Sequence, residues 1–308
     1  MKHAFIMDPL ESVKPVKDTT YFLMLSCRQR GHEVCHVDQR SLSLVHNELW
    51  ARVTWVDVQD NLDQPFVILK DEFTPLGHMG AVWLRTDPPF DRRYFYTTLL
   101  LDFLPDSVTI VNRPQGVRDW NEKLAALVFP EFTPTTRVSN NVAEIKSFAD
   151  EQGRITVKPV DGFGGKGIVF YEPGRDDRVL YESTHDERHW VIAQAYLPEA
   201  KLGDKRILLL NGEPLGAILR LHAEGVELNN LDAGGTAHPV ELTPRDLEIC
   251  RAVKQPMIDN GIIFAGIDVI GDMLIEVNVT SPTGLQELSR FTNHGFHHDI
   301  IAALETNG

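Results

Sequence analysis

Cysteine is scarce in this chain. Cys27, Cys35 and Cys250 are its only three in 308 residues and none belongs to a C-x-x-C pair, so neither a disulfide framework nor a thiolate zinc site is expected, and a reduced, cytoplasmic setting is. Basic residues are in deficit too. Lysine and arginine together number 30 against 44 aspartates and glutamates, for a formal charge of −14. Such a balance repels a phosphate backbone and argues against nucleic acid as a partner. It leaves room for a small anionic substrate, because a few cations gathered in one cleft override the global field locally. Long apolar runs are also missing. The stretch after Lys2 stops at Asp8-Pro9, too short for the apolar region of a signal peptide. Nothing approaches the ~20 apolar residues of a membrane span, so no membrane partner is expected. No internal repeat or low-complexity tract is present.

The length allows two to three domains, and 43% hydrophobic with 24% charged residues is an ordinary globular composition. Ala4 to Met7 reads as a first strand and Thr19 to Arg30 as a helix stopped by Gly31. Glu33 to Val37, Ala81 to Leu84 and Thr109 to Val111 read as further strands, the one at Ala81 to Leu84 ended by Arg85-Thr86-Asp87-Pro88-Pro89, where two prolines force a loop. This first third reads as an open α/β layer. Arg118 to Phe129 carries a helical pattern, with Asn121, Glu122 and Lys123 near its start, and Phe132 to Thr135 looks like a boundary. Beyond it the texture is one of hairpins: Ile155–Val157, Gly167–Tyr171, Trp190–Ala193, Ile207–Leu210, Leu215–Arg220, Phe264–Ile270 and Leu274–Val279. Asn211-Gly212 between two of them is a strong hairpin-turn signal.

Lys158-Pro159-Val160-Asp161-Gly162-Phe163-Gly164-Gly165-Lys166-Gly167 contains a literal G-x-G-x-x-G. A dinucleotide fingerprint must open a helix, yet Ile168-Val169-Phe170-Tyr171 follows and reads as a strand. A P-loop is excluded as well, since no serine or threonine follows the loop lysine. What remains is a glycine-rich loop between two antiparallel strands with Lys158 at the end of the first. It is either a surface hairpin or a flap over phosphates, in which glycine lets backbone N–H groups approach oxygen and Lys158 supplies a cation.

Phe264 to Val279 places two apolar strands around a Gly-Asp turn. If the apolar residues share one face, Val269 lies opposite Ile275 and Ile267 opposite Val277, with a three-residue loop over Gly271 to Met273. Asp268 then stands across from Glu276, with Asn278 on the same face. Facing carboxylates repel. Either the face is simply solvated, or a cation sits between the two, and oxygen ligands without histidine or cysteine suit Mg²⁺, with Mn²⁺ an alternative.

Together the two segments resemble the ATP-grasp superfamily, and over nearly the whole chain the sequence resembles bacterial glutathione synthetases. The landmarks run in order: Met7-Asp8-Pro9, Asp87-Pro88-Pro89-Phe90-Asp91, Asn121-Glu122-Lys123-Leu124, Lys158-Pro159 with its glycines, Gln194 to Pro198, Gly203-Asp204-Lys205-Arg206, Ala233-Gly234-Gly235 and Glu276 to Thr283. The resemblance implies a small α/β domain over residues 1–120 followed by an ATP-grasp fold, with a central subdomain at 121–198 and a C-terminal one at 199–308. It implies that Lys123, Lys158 and the flap glycines Gly162, Gly164 and Gly165 hold ATP phosphates, that Gln194, Tyr196 and Leu197 meet the adenine, and that Asp204 lies beside the nucleotide. Arg206 would neutralise the transferred phosphoryl group, and Asp268, Glu276 and Asn278 would hold Mg²⁺. Arg85, Arg220, Ser281 and Thr283 would line the acceptor and dipeptide pocket. A homo-oligomer binding small-molecule substrates is expected. The implied reaction activates a carboxylate as an acyl phosphate that an amine then attacks, which is γ-glutamylcysteine plus glycine in glutathione synthetase. Other readings are a paralogue joining a different acid and amine, or a non-catalytic ATP-binding regulator. Two positions depart from the family pattern: Thr86 stands where a lysine is usual, and Glu227 to Asp232 lacks the usual arginine, Leu228 included.

Overall fold

The computed structural model describes residues 1–221 and 235–306. The loop departure around Leu228, and most of the Ala233-Gly234-Gly235 landmark, lie outside the described residues. Three sheets organise the rest.

The first sheet holds β1 (Lys2–Ile6), β2 (Glu33–Val37), β3 (Ser43–Val45), β4 (Glu48–Val58), β5 (Phe66–Pro75), β6 (Ala81–Leu84) and β7 (Thr109–Val111), in the order β3-β4-β2-β1-β6-β7 with β5 on β4. β1 pairs in parallel with β2 and β6, and β6 with β7. The parallel centre explains why β1 and β6 read as unbroken apolar runs: both faces are covered. Helices α1 (Thr19–Gln29), α2 (Arg92–Leu101) and α3 (Pro114–Asp119) belong to this layer. α1 begins where the Asp18 carboxylate accepts from Tyr21 N–H at 2.8 Å, and the chain leaves it through Gly31 at φ +79°.

The second sheet, order β10-β9-β11-β8, is built from β8 (Thr136–Ser139), β9 (Ile155–Pro159), β10 (Val169–Tyr171) and β11 (Val191–Ala195). α4 (Val142–Gln152) and α5 (Arg178–Ser183) pack their apolar side chains beneath it. The third sheet, order β14-β13-β12-β15-β16, contains β12 (Asp204–Leu210), β13 (Glu213–Leu221), β14 (Thr236–Val240), β15 (Phe264–Ile270) and β16 (Met273–Asn278). α6 (Pro244–Asp259) follows a capping box in which Thr243 and Asp246 bond each other's backbone N–H. α7 (Leu285–Thr292) and α8 (Phe296–Glu305) close the chain. α8 returns to the first layer, where Ile300, Ile301 and Leu304 share a core with Phe5, Leu23 and Met24.

Several local expectations hold. Leu210 pairs with Glu213, leaving Asn211 and Gly212 as a two-residue turn at φ +50° and +74°, the primed geometry that matches strand twist. β9 and β10 are antiparallel across the glycine-rich loop.

Others are corrected. The stretch from Phe132 onward is not hairpins alone, because α4 to α8 alternate with them. The helical pattern over 118–129 is broken. α3 stops at Asp119, and the Asn121 side chain accepts from Lys123 N–H (3.1 Å) and Leu124 N–H (3.0 Å), starting a separate turn that runs into a 3-10 helix at Ala125–Val128. In the β15–β16 hairpin Ile267 opposes Val277 and Asp268 opposes Glu276 as expected, but Val269 opposes Leu274, not Ile275, and Ile270 pairs with Met273. The turn therefore has two residues, Gly271 and Asp272, and a bulge absorbs the extra one. Leu274 takes the core position. Ile275 is turned to the opposite face.

Asn112, just after β7, ties the layers together. Its amide donates to the carbonyls of Phe264 and Val279, both at 2.7 Å, and accepts from Ile263 N–H (2.8 Å) and Phe264 N–H (2.9 Å).

Candidate active site

A cavity of about 420 Å³ lies between the second and third sheets, beneath the glycine-rich loop. Its floor follows from strand alternation. Ile207, Leu209, Ile267, Val269 and Val277 face the core, so Asp204, Arg206 and Asp268 emerge on the other side. Register then sets them beside one another: Asp204 opposes Arg220, Arg206 opposes Asp268, and Asp268 opposes Glu276.

The charges are tightly paired. Arg206 grips Asp268 through Nε and Nη2, the latter at 2.9 Å, and Arg220 Nη2 lies 3.0 Å from the same carboxylate. Arg220 also donates from Nε to Asp204 Oδ1 at 2.9 Å, and Asn278 Nδ2 donates to Asp268 Oδ2 at 3.2 Å. Burial alone would push Asp268 up, but the two guanidinium groups outweigh it and hold the carboxyl well below its usual range. Asp204 goes the other way: burial and the neighbouring Asp268 charge, opposed by Arg220, push it up to about 6.

The facing wall comes from β9 and β11. Thr156 and Lys158 alternate into the cavity, and Gln194 is the register partner of Thr156. Lys158 is 3% exposed, and burial, with Lys123 nearby, lowers its pKa to about 8 against the pull of Glu276. Tyr196 and Leu197 continue this wall, with Phe170 edge-on to Tyr196 at 5.7 Å. Phe163, Gly164 and Gly165 form the roof. Gly164 and Gly165 have φ +59° and +76°, a backbone that side chains rarely adopt. Ser281 and Thr283 complete the rim, Ser281 donating to Asp87 Oδ1 at 3.0 Å.

Three of the residues singled out by sequence do not line the cavity. Lys123 lies behind it, its ammonium donating to the Gly162 carbonyl and 3.5 Å from Glu276 Oε1, while Gly162 anchors the flap's base. Arg85 is buried in the first layer, donating to Thr20 Oγ1 and the Pro282 carbonyl, both at 3.1 Å, with Nη1 unpartnered. Its neighbour Thr86 is buried too, and its hydroxyl has no partner. Conversely, sequence reasoning passed over Asp87, Glu122, Thr156, Phe170 and Ile275, all of which line the cavity. Asp87 and Glu122 stood inside quoted landmarks and were the findable ones. Ile275 required the bulge.

The donor set suits a divalent cation. Asp268 and Glu276 are like charges opposed across two strands, and every candidate ligand is oxygen. Among the described residues a different grouping, His3, Cys27 and His32, has metal-ligand spacing. Its hydrogen bonds refuse an ion. Trp83 Nε1 can only donate, so His3 Nδ1 accepts (3.1 Å) and its Nε2–H points to His32 Nδ1 (2.9 Å), whose Nε2 meets Glu305 at 2.9 Å. No ring nitrogen is left free.

Two antiparallel sheets with a glycine-rich flap, buried lysines and an acidic strand pair define an ATP-grasp ligase. Solved structures with this fold include D-cycloserine synthetase DcsG (TM-score 0.67, 16% identity, 99% of each chain) and ATP-grasp ligase PsnB complexed with minimal precursor, Mg and ADP (TM-score 0.63, 14% identity, 99% of this chain and 97% of that one). At such identities they speak for fold alone. Family models match too: the N-terminal domain of prokaryotic glutathione synthetase over residues 1–118 and its ATP-grasp domain over 122–293. Glutathione synthetase of Nostoc sp. is 41% identical over 100% of this chain and 98% of its own length. That of Synechococcus elongatus is 42% identical over 99% and 98%, and that of Vibrio parahaemolyticus 37% over 99% and 98%. The chain belongs to the prokaryotic glutathione synthetase family, and it is an ATP-dependent ligase. No helix among the described residues is long and apolar enough to cross a membrane.

Proposed function

We propose that this enzyme joins γ-glutamylcysteine to glycine, with ATP going to ADP and phosphate. The observation that carries the reading is the register-locked row Asp204, Arg206, Asp268 and Glu276 facing Lys158 under the flap, in a chain about two-fifths identical to glutathione synthetases along its whole length. Lys158 and the flap N–H groups would hold the ATP phosphates, with Lys123 bracing the flap through Gly162. Gln194, Tyr196, Leu197 and Phe170 would enclose the adenine, beside Asp204. Asp268, Glu276 and Asn278 would hold a divalent cation, Mg²⁺ by the hardness of the ligands, which when bound would screen the phosphate oxygens.

Chemistry then rests on positioning. The dipeptide carboxylate attacks the γ-phosphate, Arg206 balances the charge that builds on the transferred group, and the acyl phosphate is held away from water until the glycine amine displaces phosphate. Arg220, Ser281 and Thr283 would orient the acid. Arg85 would act from behind, fixing the segment around Pro282. The test is ADP release measured with γ-glutamylcysteine and glycine against a panel of other acids and amines. The named pair should give the highest kcat/KM. Preference for another acid would instead match the departures at Thr86 and Leu228 and mark a paralogous ligase.

A further inference from the structure

Amide formation makes a demand that the charge pairs of the cavity do not meet. An amino acid enters as an ammonium ion, and its nitrogen has no lone pair to attack with until a base has taken a proton. Among the described residues five carboxylates line the cavity: Asp87, Glu122, Asp204, Asp268 and Glu276. Three of them are committed. Asp204 and Asp268 are held by Arg206 and Arg220, and Glu276 faces Lys123 at 3.5 Å among the candidate metal ligands. Glu122 accepts from Thr280 Oγ1 at 2.6 Å and has Glu276 and Lys123 as its neighbours, which places it at the metal and phosphate end.

Asp87 stands with Ser281 and Thr283 instead. The Ser281 hydroxyl donates to its Oδ1 at 3.0 Å, and its own N–H donates to Asp8 Oδ2 at 2.9 Å, so both side chain and backbone are fixed. Arg85 lies close by but spends its bonds on Thr20 and Pro282. Among the described residues Asp87 Oδ2 therefore takes no hydrogen bond. The side chain is open, yet the protein packed around that opening, with the charges of Asp8 and Asp18, raises its pKa against the pull of Ser281 and Arg85. A carboxylate shifted in that direction holds a proton more readily.

Resting on the substrate reading above, we propose that Asp87 receives the ammonium group of the attacking amino acid and acts as its base. Oδ2 accepts one proton, and the freed lone pair forms the C–N bond to the acyl carbon as the C–O bond to phosphate breaks. A second nitrogen proton leaves with the phosphate, and Asp87 returns its own to solvent.

The experiment uses a nucleophile that needs no base. Hydroxylamine is uncharged at neutral pH and traps acyl phosphates as hydroxamates, so it calls on the rest of the site and not on Asp87. Asp87→Asn keeps the shape and an oxygen for Ser281. With γ-glutamylcysteine as the acid, kcat at saturating glycine should fall by about a hundredfold or more, the usual loss for a general base, while hydroxamate formation and the thermal midpoint stay near wild type. Glu122→Gln should lower both reactions alike. The proposal is overturned if Asp87→Asn slows the two reactions equally, if it slows neither, or if the split appears in Glu122→Gln instead. Hydroxamate made from γ-glutamylcysteine by the wild type upholds that acid whatever the variant does, so failure of the base and failure of the substrate reading are separate results. Should another acid be preferred, the same split between its amine and hydroxylamine is required.

Discussion

Asp268 and Arg206, register partners on neighbouring strands, form a buried two-pronged ion pair that Arg220 joins from a third strand. Any cation that takes Asp268 must displace these donors, and doing so frees two guanidinium groups for anionic substrate atoms. Asp268→Asn keeps the shape and removes the charge, leaving two buried arginines partly uncompensated. Breaking a buried pair in this way costs about 3 kcal/mol or more. Urea unfolding should show that loss, and activity should fall by about a hundredfold to a thousandfold, as for other groups that act on transition-state charge. A variant with wild-type stability and near wild-type turnover would remove Asp268 from both roles.

Lys158 gives a pH dependence. Its pKa in the free protein is lowered to about 8 by burial, and phosphates bind the charged form. The sign follows: ATP affinity is full below that pH and weakens as pH rises through it, by about tenfold per unit. Lys158→Arg keeps its charge and should flatten the profile, even where overall affinity is lower. Equilibrium binding of a non-hydrolysable ATP analogue from pH 6 to pH 10 checks this, and identical profiles for the two proteins would exclude Lys158 from phosphate binding.

The flap should tighten on its ligand. Gly164, Gly165 and Gly167 all hold positive φ, and the loop's local backbone bonds include long ones, Gly162 N–H to the Pro159 carbonyl at 3.3 Å and Ile168 N–H to the Gly165 carbonyl at 3.4 Å. Residues 161–166 should therefore exchange amide hydrogens quickly in the free enzyme and gain protection with Mg-ATP. Equal exchange with and without nucleotide would make the loop a plain hairpin.

How much of this was legible in sequence depended on how strictly each segment was constrained. β1 and β6 read directly because burial on both faces leaves nearly unbroken apolar runs. The Asp268–Glu276 opposition was readable because alternation around Ile267 and Val277 admits one register, whereas the bulge beside it has no signature in composition. β4 was overlooked although Leu49, Ala51, Val53 and Trp55 alternate into the core; β5 escaped notice for a related reason. β5 runs Val67-Ile68-Leu69-Lys70-Asp71-Glu72, with Leu69 as an extra residue between the pairs Val56–Ile68 and Trp55–Lys70, so no period-2 pattern survives. The break after Asp119 was hidden because Asn121 acts through its side chain, which helical periodicity does not weigh. Arg85 was picked out from its motif, but that it is buried behind the cavity depends on packing between the first layer and the segment around Pro282, which no local pattern encodes.

Asn112 is the most exacting test of how the site is held in place. Its amide uses both donor hydrogens on the carbonyls of Phe264 and Val279, and its oxygen receives two backbone N–H groups. The hairpin bearing Asp268, Glu276 and Asn278 lies between those two anchor points. Asn112→Ala strands two carbonyls and two amides at about 1–3 kcal/mol for each one that stays dry, so a net loss of about 3 kcal/mol is expected once some relaxation and water entry are allowed. Asn112→Asp tests the polarity of the clip rather than its size. An ionised carboxylate would still accept the two N–H groups but would face two carbonyl oxygens it cannot donate to. Burial and those oxygens raise the new group's folded pKa above its unfolded value, so its folded form gains a proton, and a donor, as pH falls. Relative to wild type, Asn112→Asp should therefore be least stable at neutral pH and above and should recover part of the difference toward pH 5. Denaturant titrations of both proteins across that range read the effect directly. A gap that stays constant or widens on acidification would mean that the two donated bonds are not what holds the hairpin.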